Sequence, residues 1–253
     1  MAEIKLDNIS LTYPLLGGGV RRKVKDEGLA GAGSIVKDKK RYSRSVVALK
    51  NISAHLSDGD RVGLIGHNGS GKSTLLRVMA GIYEPNVGRV SITGDIAALF
   101  SAGVGIKNDA TGRRNIELAG IMAGLSKSAQ VDLVKSVADF TELGQYLDMP
   151  VRTYSNGMAM RLKFACATAF SPEIMLIDEW LGAGDITFQK KALQRVNERV
   201  QTAGIMVLAS HQTKLIQNEC NKAIWLDGGV MRRMGPTKEV VAEMLDFAKA
   251  KKT

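Results

Sequence analysis

Eight consecutive residues, Gly66-His67-Asn68-Gly69-Ser70-Gly71-Lys72-Ser73, fit the spacing G-x-x-x-x-G-K-[ST] at every fixed position. Residues of these types at this spacing make a phosphate cradle. The glycines let backbone N–H groups curl around phosphate oxygens with no Cβ in the way. A helix opening at the end of the loop adds the partial positive charge of its N-terminus. Lys72 brings a full charge for the β- and γ-phosphates, the Ser73 hydroxyl is placed to ligate Mg²⁺, and Thr74 closes the stretch expected to line the ligand. A second run, Ile174-Met175-Leu176-Ile177-Asp178-Glu179, puts two carboxylates after four apolar residues. Such a run reads as a buried strand, and open α/β sheets bind ligands at the carboxyl ends of their strands. Asp178 is placed to hold Mg²⁺ through water, and Glu179 to polarise an attacking water as general base. The two runs together predict a nucleoside triphosphate, Mg²⁺ and hydrolysis.

Such groups need a scaffold, and the flanking sequence supplies one. RVGLI before the loop reads as a strand and TLLRVMA after it as a helix. EIKLDNISLTY alternates apolar and polar residues, the mark of a half-buried strand. VALKNISAHL, GRVSITG and DIAALF read as further strands, and IMVLAS and AIWLDGG as buried ones. From about Asn108 to Phe170 apolar residues recur at three- and four-residue spacing, so this region is expected to be mostly helical. A long amphipathic helix through LQRVNERV follows Asp178 and Glu179. Short apolar strands alternating with helices predict a mainly parallel sheet covered on both faces.

Composition narrows the classes. In 253 residues, 45% hydrophobic and 24% charged residues describe an ordinary globular chain, which excludes wholesale disorder. No apolar stretch approaches the roughly 18 residues of a membrane span. Two cysteines, Cys166 and Cys220, are too few for a disulfide scaffold, and MAEIKLDNIS lacks the form of a signal peptide. A cytoplasmic location is expected. The net charge of +10 calls for an anionic partner, and it is unevenly spread. Residues 14–45 hold nine Lys/Arg against three Asp/Glu, a net of +6, together with two glycine-rich patches. They read as a basic excursion from the compact fold, facing a partner or solvent. The last residues, KAKKT, are basic and expected to fray.

Further residues carry a resemblance. Tyr154-Ser155-Asn156-Gly157-Met158 precedes a predicted helix between the two nucleotide motifs. Gly184-Asp185 follows Glu179, and Ser210-His211 follows the strand IMVLA. With the loop and Asp178-Glu179, these make the chain similar to ATP-binding cassette (ABC) proteins from Glu3 to about Val240. The resemblance implies an α/β P-loop cassette with a mainly parallel core sheet, an antiparallel β subdomain and a helical subdomain at about 101–170, all in one domain. It implies ATP and Mg²⁺ as cofactors and a homodimer. Each site would draw Lys72, Asp178, Glu179 and His211 from one copy, and from the other Ser155, whose hydroxyl and the nearby amides of Gly157 cap the γ-phosphate. Asp185 would be the D-loop acid, His211 the switch histidine, and Tyr13 the aromatic that stacks on adenine. Ser155 at a helix start also reads as a plain N-cap, and His67 as a spacer within the loop.

The resemblance narrows further. LGQYLDMPVRTYSNGM, TGRRNIELAG and DEWLGAGDITFQKKA, with its F-x-x-K stretch Phe188-Gln189-Lys190-Lys191, look like ATPase subunits of exporters for bacterial surface polysaccharide. That branch implies an ATPase driving export of lipid-linked O-antigen of lipopolysaccharide, with capsule or teichoic acid as alternative cargo. It implies an integral membrane permease as partner, a peripheral place on the cytoplasmic face of the inner membrane, and no nucleic acid. The basic excursion would then face anionic headgroups or a pyrophosphate-linked substrate. Three departures stand out. Ser101 takes the place of the usual glutamine that touches Mg²⁺ and water, Asn156 replaces a small residue, and the excursion is longer than a simple cassette needs. A fused carbohydrate-binding domain after the cassette is not expected. The competing reading, a soluble ABC ATPase acting on nucleic acid or ribosomes, suits +10 but lacks a second cassette or a long coiled coil. The Tyr-Ser-x-Gly-Met signature argues against an importer.

Overall fold

Along the first strand, Ile4, Leu6, Ile9 and Leu11 are buried, although strict alternation would turn Ile9 to the other face. Asn8 resolves this. In the computed structural model it takes a left-handed φ of 51°, and the ladder shifts register between Leu6 and Ile9. The bulge turns Ile9 back to the core, and asparagine tolerates that backbone better than most residues. Asn51 repeats the device on the facing strand, also at φ 51°. The structure describes residues 1–15, 35–37, 44–100, 105–178 and 186–250.

The elements in order are β1 (Glu3–Leu15), β2 (Ile35–Lys37), β3 (Arg44–Ser57), β4 (Arg61–Ile65), α1 (Lys72–Met79), β5 (Val87–Thr93), β6 (Ile96–Leu99), α2 (Gly112–Met122) and α3 (Lys127–Thr141). After 3-10 turns at Gly144–Asp148 and Val151–Thr153 come α4 (Asn156–Ala167), β7 (Ile174–Asp178), α5 (Ile186–Thr202), β8 (Ile205–Ala209), α6 (Thr213–Glu219), β9 (Lys222–Asp227), β10 (Val230–Pro236) and α7 (Thr237–Ala250). Four strands form an antiparallel sheet in the order β2-β3-β1-β5. Six form the larger sheet in the order β10-β9-β4-β8-β7-β6, in which β9, β4 and β8 run parallel and β10 antiparallel. This is the expected α/β architecture. Among the described residues no helix is long and apolar enough to cross a membrane.

The ends of the basic excursion depart from the expected loop. β1 continues through Pro14 and Leu15, paired with Ser45 and Arg44, and β2 pairs with the same stretch of β3. A ladder needs backbone groups, not apolar side chains. Pro14 is tolerated because the pairing of β1 with β5 has already ended at Ser10, so among the described residues no strand pairs with that side of β1 there. Residues 16–34 and 38–43 lie outside the described part. At the other terminus, α7 carries through Lys249 and Ala250 where fraying was expected.

The described residues divide into two compact units. The first, residues 1–15, 35–37, 44–96, 176–178 and 204–250, holds the antiparallel sheet and β4, β8, β9 and β10. β4 is buried from Val62 to Ile65 and β8 throughout, as expected of strands covered on both faces. α6 lies so close on β4 that a Cβ at Gly63 would collide with Ile216.

The second unit comprises residues 97–100, 105–175 and 186–203. Its core joins Ile116, Leu133, Val137, Leu143, Leu147, Val151 and Leu162. Each of its first three helices starts on a hydroxyl that accepts a backbone N–H: Thr111 from Arg114 at 3.1 Å, Ser126 from Ala129 at 3.3 Å, and Ser155 from Met158 at 3.3 Å. TGRRNIELAG is explained by this packing. Asn115 is buried, accepts from the Lys107 N–H at 2.7 Å and donates to the Lys107 and Thr111 carbonyls at 3.0 and 2.9 Å. Gly112 lies under the Tyr154 hydroxyl, which donates to the Tyr146 carbonyl at 2.6 Å. A Cβ there would collide with that hydroxyl and meet Leu147 at 3.1 Å. Gly112→Ala is therefore expected to destabilise the protein by about 1–3 kcal/mol, the usual range for overpacking, read as a lower thermal midpoint. An unchanged midpoint would mean that Tyr154 is not fixed.

Candidate functional site

Three parallel strands of the first unit end at one edge of the larger sheet. β4 ends at Ile65, and Gly66 opens the glycine-rich loop. β8 ends at Ala209, followed by buried Ser210 and exposed His211. β9 ends at Asp227. The register pairs Leu64 with Ala209 and Ile65 with Trp225. The loop thus begins between the Ser210–His211 turn on one side and Asp227 on the other. β7, next to β8, ends on half-buried Asp178.

The loop is shaped by its glycines. Gly69 and Gly71 hold φ of 78° and 106°, a conformation that strains any side chain. Gly71 is the N-cap of α1 and offers no side-chain acceptor, so the first amides of that helix are left for an outside anion. Lys72 is only 7% exposed. Its ammonium donates to the carbonyls of Gly66 at 2.8 Å and His67 at 3.1 Å, which offset the cost of burying the charge. Ser70 is fully buried, and among the described residues its hydroxyl has no hydrogen-bond partner. A buried cation, an uncapped helix start and an orphaned hydroxyl suit an anionic ligand with several oxygens. Ser73 and Thr74 follow in the first turn of α1, both half-buried.

Tyr13 lies in β1 and is half-buried, and burial raises its phenol pKa. Its side chain is hydrogen-bonded to Thr74 of α1, and its ring stands edge-on to Tyr83 with centroids 5.7 Å apart. The Arg77 guanidinium lies 5.8 Å from the centre of the Tyr83 ring. The aromatic is thus tied to the helix that the loop opens.

In the second unit, Ser155, Asn156 and Gly157 are all exposed at the start of α4. Both readings of Ser155 remain compatible, since its hydroxyl caps the helix while its N-terminal turn faces outward. The Phe-x-x-Lys stretch has a structural basis in this unit. Phe188 is buried against Phe140 and Phe164, with centroids 5.5 and 5.9 Å away, and Lys191 pairs with Glu142 at the end of α3. Arg161 and Arg195 lie over the rings of Phe188 and Phe140 at 5.2 and 4.0 Å. Ser101, Glu179 and Asp185 lie outside the described residues. Cys166 and Cys220 are buried free thiols pushed up to about 12 by burial, and neither is a nucleophile at neutral pH.

Sequence reasoning missed Asp227, Arg232 and Tyr83. Asp227 carried a usable signal, since it is the first charged residue after the apolar run Ala223–Leu226 and so marks the carboxyl end of a buried strand. Tyr83 carried none, because its link to Tyr13 is tertiary.

Residues 49–182 match the ABC transporter family model. The chain is 39% identical over 231 residues to the O-antigen export system ATP-binding protein RfbE of Yersinia enterocolitica, covering 91% of this chain and 97% of that one. It is 43% identical over 207 residues to the O-antigen export system ATP-binding protein RfbB of Myxococcus xanthus, of whose length it spans only 47%. It is 41% identical over 202 residues to a teichoic acids export ATP-binding protein of Bacillus anthracis, spanning 37% of it. Among solved structures, the ATP-binding cassette MJ0796, dimeric and bound to ADP and Pi, superposes with a TM-score of 0.68 at 21% identity, covering 92% of this chain and 98% of that one.

Proposed function

Because the chain belongs to the ABC transporter family and is an ATPase of that family, we propose that it drives export of a lipid-linked polysaccharide, with the O-antigen of lipopolysaccharide as cargo. One observation carries this reading: the 39% identity to the Yersinia protein extends over 97% of that protein's length. The match to a teichoic acids export protein makes that glycan the alternative.

In this reading the loop amides and Lys72 hold the triphosphate of ATP, and Tyr13 stacks on its base. Ser73 and Asp178 would hold Mg²⁺ beside the phosphates. That division suits a hard cation that keeps several waters and takes only one or two protein ligands. Bound Mg²⁺ would neutralise charge that develops between the phosphates. Glu179 takes a proton from the attacking water, and His211, at the end of β8, reaches toward the γ-phosphate. Ser155 and Gly157 serve the site of a second copy. Asp185 and Ser101 complete the residues assigned to the nucleotide and its metal. The dimer works beneath a membrane permease at the cytoplasmic face, and the excursion 14–45, with its net +6, faces anionic headgroups or cargo.

Expression together with its neighbouring permease, in a strain stripped of its own O-antigen ATPase and permease, tests the proposal. Surface polysaccharide is expected to return, measured as the ladder of lipopolysaccharide on gels. A permease that co-purifies while the ladder stays absent overturns the cargo assignment.

A further inference from the structure

Tyr83 belongs to none of the nucleotide motifs and stands just past the C-terminal end of α1. That helix ends at Met79, and Gly81 turns the chain back with a left-handed φ of 69°. The N–H groups of Ile82 and Tyr83 both donate to the Arg77 carbonyl, at 2.9 and 3.2 Å. The turn brings the half-buried Tyr83 ring beside the Arg77 guanidinium, 5.8 Å from the ring centre. Tyr83 in turn stands against Tyr13, with the two rings at 76° and their centroids 5.7 Å apart. This is the edge-to-face arrangement that the charge distribution of aromatic rings favours. The two side chains are also hydrogen-bonded.

The strand that carries Tyr13 is tied to the segment that carries Tyr83. The Asn86 N–H donates to the Ser10 carbonyl at 2.9 Å. The Asn86 side-chain oxygen accepts from the Thr12 N–H and, at 3.0 Å, from the Thr12 hydroxyl. Backbone is therefore fixed next to Tyr13 on one side and shortly after Tyr83 on the other, and the two rings meet beside that tie. α1 completes the frame. Thr74 and Arg77 lie three residues apart on one face of the helix, and they reach Tyr13 and Tyr83 respectively. The same helix carries Lys72 and Ser73 at its start. The Tyr13 ring is thus set relative to the phosphate loop by contacts that lie outside the loop itself.

We propose that Tyr83 is a positioning residue for the nucleotide base: its ring holds Tyr13 at the angle at which the base of ATP stacks. The inference rests on the reading of Tyr13 as the base platform. A side chain held in place before the ligand arrives loses little freedom on binding, so more of the stacking energy appears as affinity. The loop holds the phosphates, so the contribution of Tyr83 belongs to the base alone.

Calorimetry on the full chain, with ATP and with inorganic tripolyphosphate, both with Mg²⁺, tests it. Tripolyphosphate keeps the phosphates and lacks the base. Tyr83→Leu removes the ring and keeps an apolar side chain. It is expected to weaken ATP binding about threefold to tenfold, the scale of ordering one side chain, and to leave tripolyphosphate binding unchanged, which also shows the variant to be folded. Tyr83→Phe keeps the ring and is expected to keep most of the affinity for ATP. In a Tyr13→Ala background, Tyr83→Leu should have no further effect, because two residues that act through one contact are not additive. Unchanged ATP affinity in Tyr83→Leu, where Tyr13→Ala does weaken ATP, overturns the role of Tyr83 and leaves the platform intact. Equal loss of ATP and tripolyphosphate overturns it as well, since the residue would then support the whole cradle. So does a loss in Tyr83→Phe as large as in Tyr83→Leu, or a loss that persists without Tyr13. If Tyr13→Ala itself leaves ATP affinity unchanged, the stacking reading falls and the inference with it.

Discussion

Replacing Lys72 with alanine is expected to lower kcat/KM for ATP hydrolysis by about 10²–10³-fold, the scale of removing one preorganised donor from a reacting centre. The side chain is 7% exposed, and its ammonium is fixed by the Gly66 and His67 carbonyls at 2.8 and 3.1 Å. A charge so placed needs little reorganisation to meet a phosphate, and removing it leaves uncharged amides to carry the anion. The fold itself should persist, because losing the two hydrogen bonds is offset by no longer burying an ammonium. The discriminating measurement is the rise in thermal midpoint on adding ATP, which reports ligand bound to the native state. The midpoint without ATP is expected to change little and the rise to vanish. Arginine should not restore it, since its planar fork does not reproduce a compact ammonium. A variant that keeps the full rise would remove Lys72 from the phosphate site.

The elements that carry this site were the most legible in the chain, for a physical reason. β4 and β8 are covered on both faces, so they read as unbroken apolar runs, and the loop between β4 and α1 needs glycines that no packing argument can replace. β1 was legible by alternation, although the bulge at Asn8 hides the step that returns Ile9 to the core. β10, by contrast, reads VMRRMGP and is mostly exposed; it forms because it pairs with β9, a neighbour invisible to local pattern. The same holds for the strand ends at Pro14, Leu15 and Ile35–Lys37, whose composition suggests only a loop.

The site residues divide along similar lines. Motif spacing singled out Lys72, Ser73, Asp178 and His211 because each ends or follows a strand or opens a helix. It could not see that the His67 ring reaches Asp227, which is 160 residues away in the chain. Nor could it explain Phe188 and Lys191. Their role lies in packing α5 against Phe140, Phe164 and Glu142, so a stretch that resembles the exporter branch is held by the fold of the second unit.

Glu179→Gln is expected to leave ATP binding intact while hydrolysis falls by about 10²–10⁴-fold, the range for a lost general base. In β7, Ile174 to Ile177 are at most 3% exposed, and the strand ends on Asp178. Glu179 is the next residue in the sequence, so the two carboxylates are divided by position. Asp178 is the last residue of the strand, and Glu179 follows it. Glutamine keeps the length and the acceptor oxygen of Glu179 but accepts no proton at neutral pH. It can still orient a water without activating it. Binding and hydrolysis should therefore separate, and nucleotide should accumulate with two copies closed around it. Single-turnover assays with labelled ATP read the hydrolysis, and gel filtration in ATP reads the dimer. Asp178→Asn makes the contrast, because a ligand of Mg²⁺ should weaken binding and turnover together. Turnover within a few-fold of wild type in Glu179→Gln would move the general base elsewhere. His211, exposed after β8, would be the next residue to test.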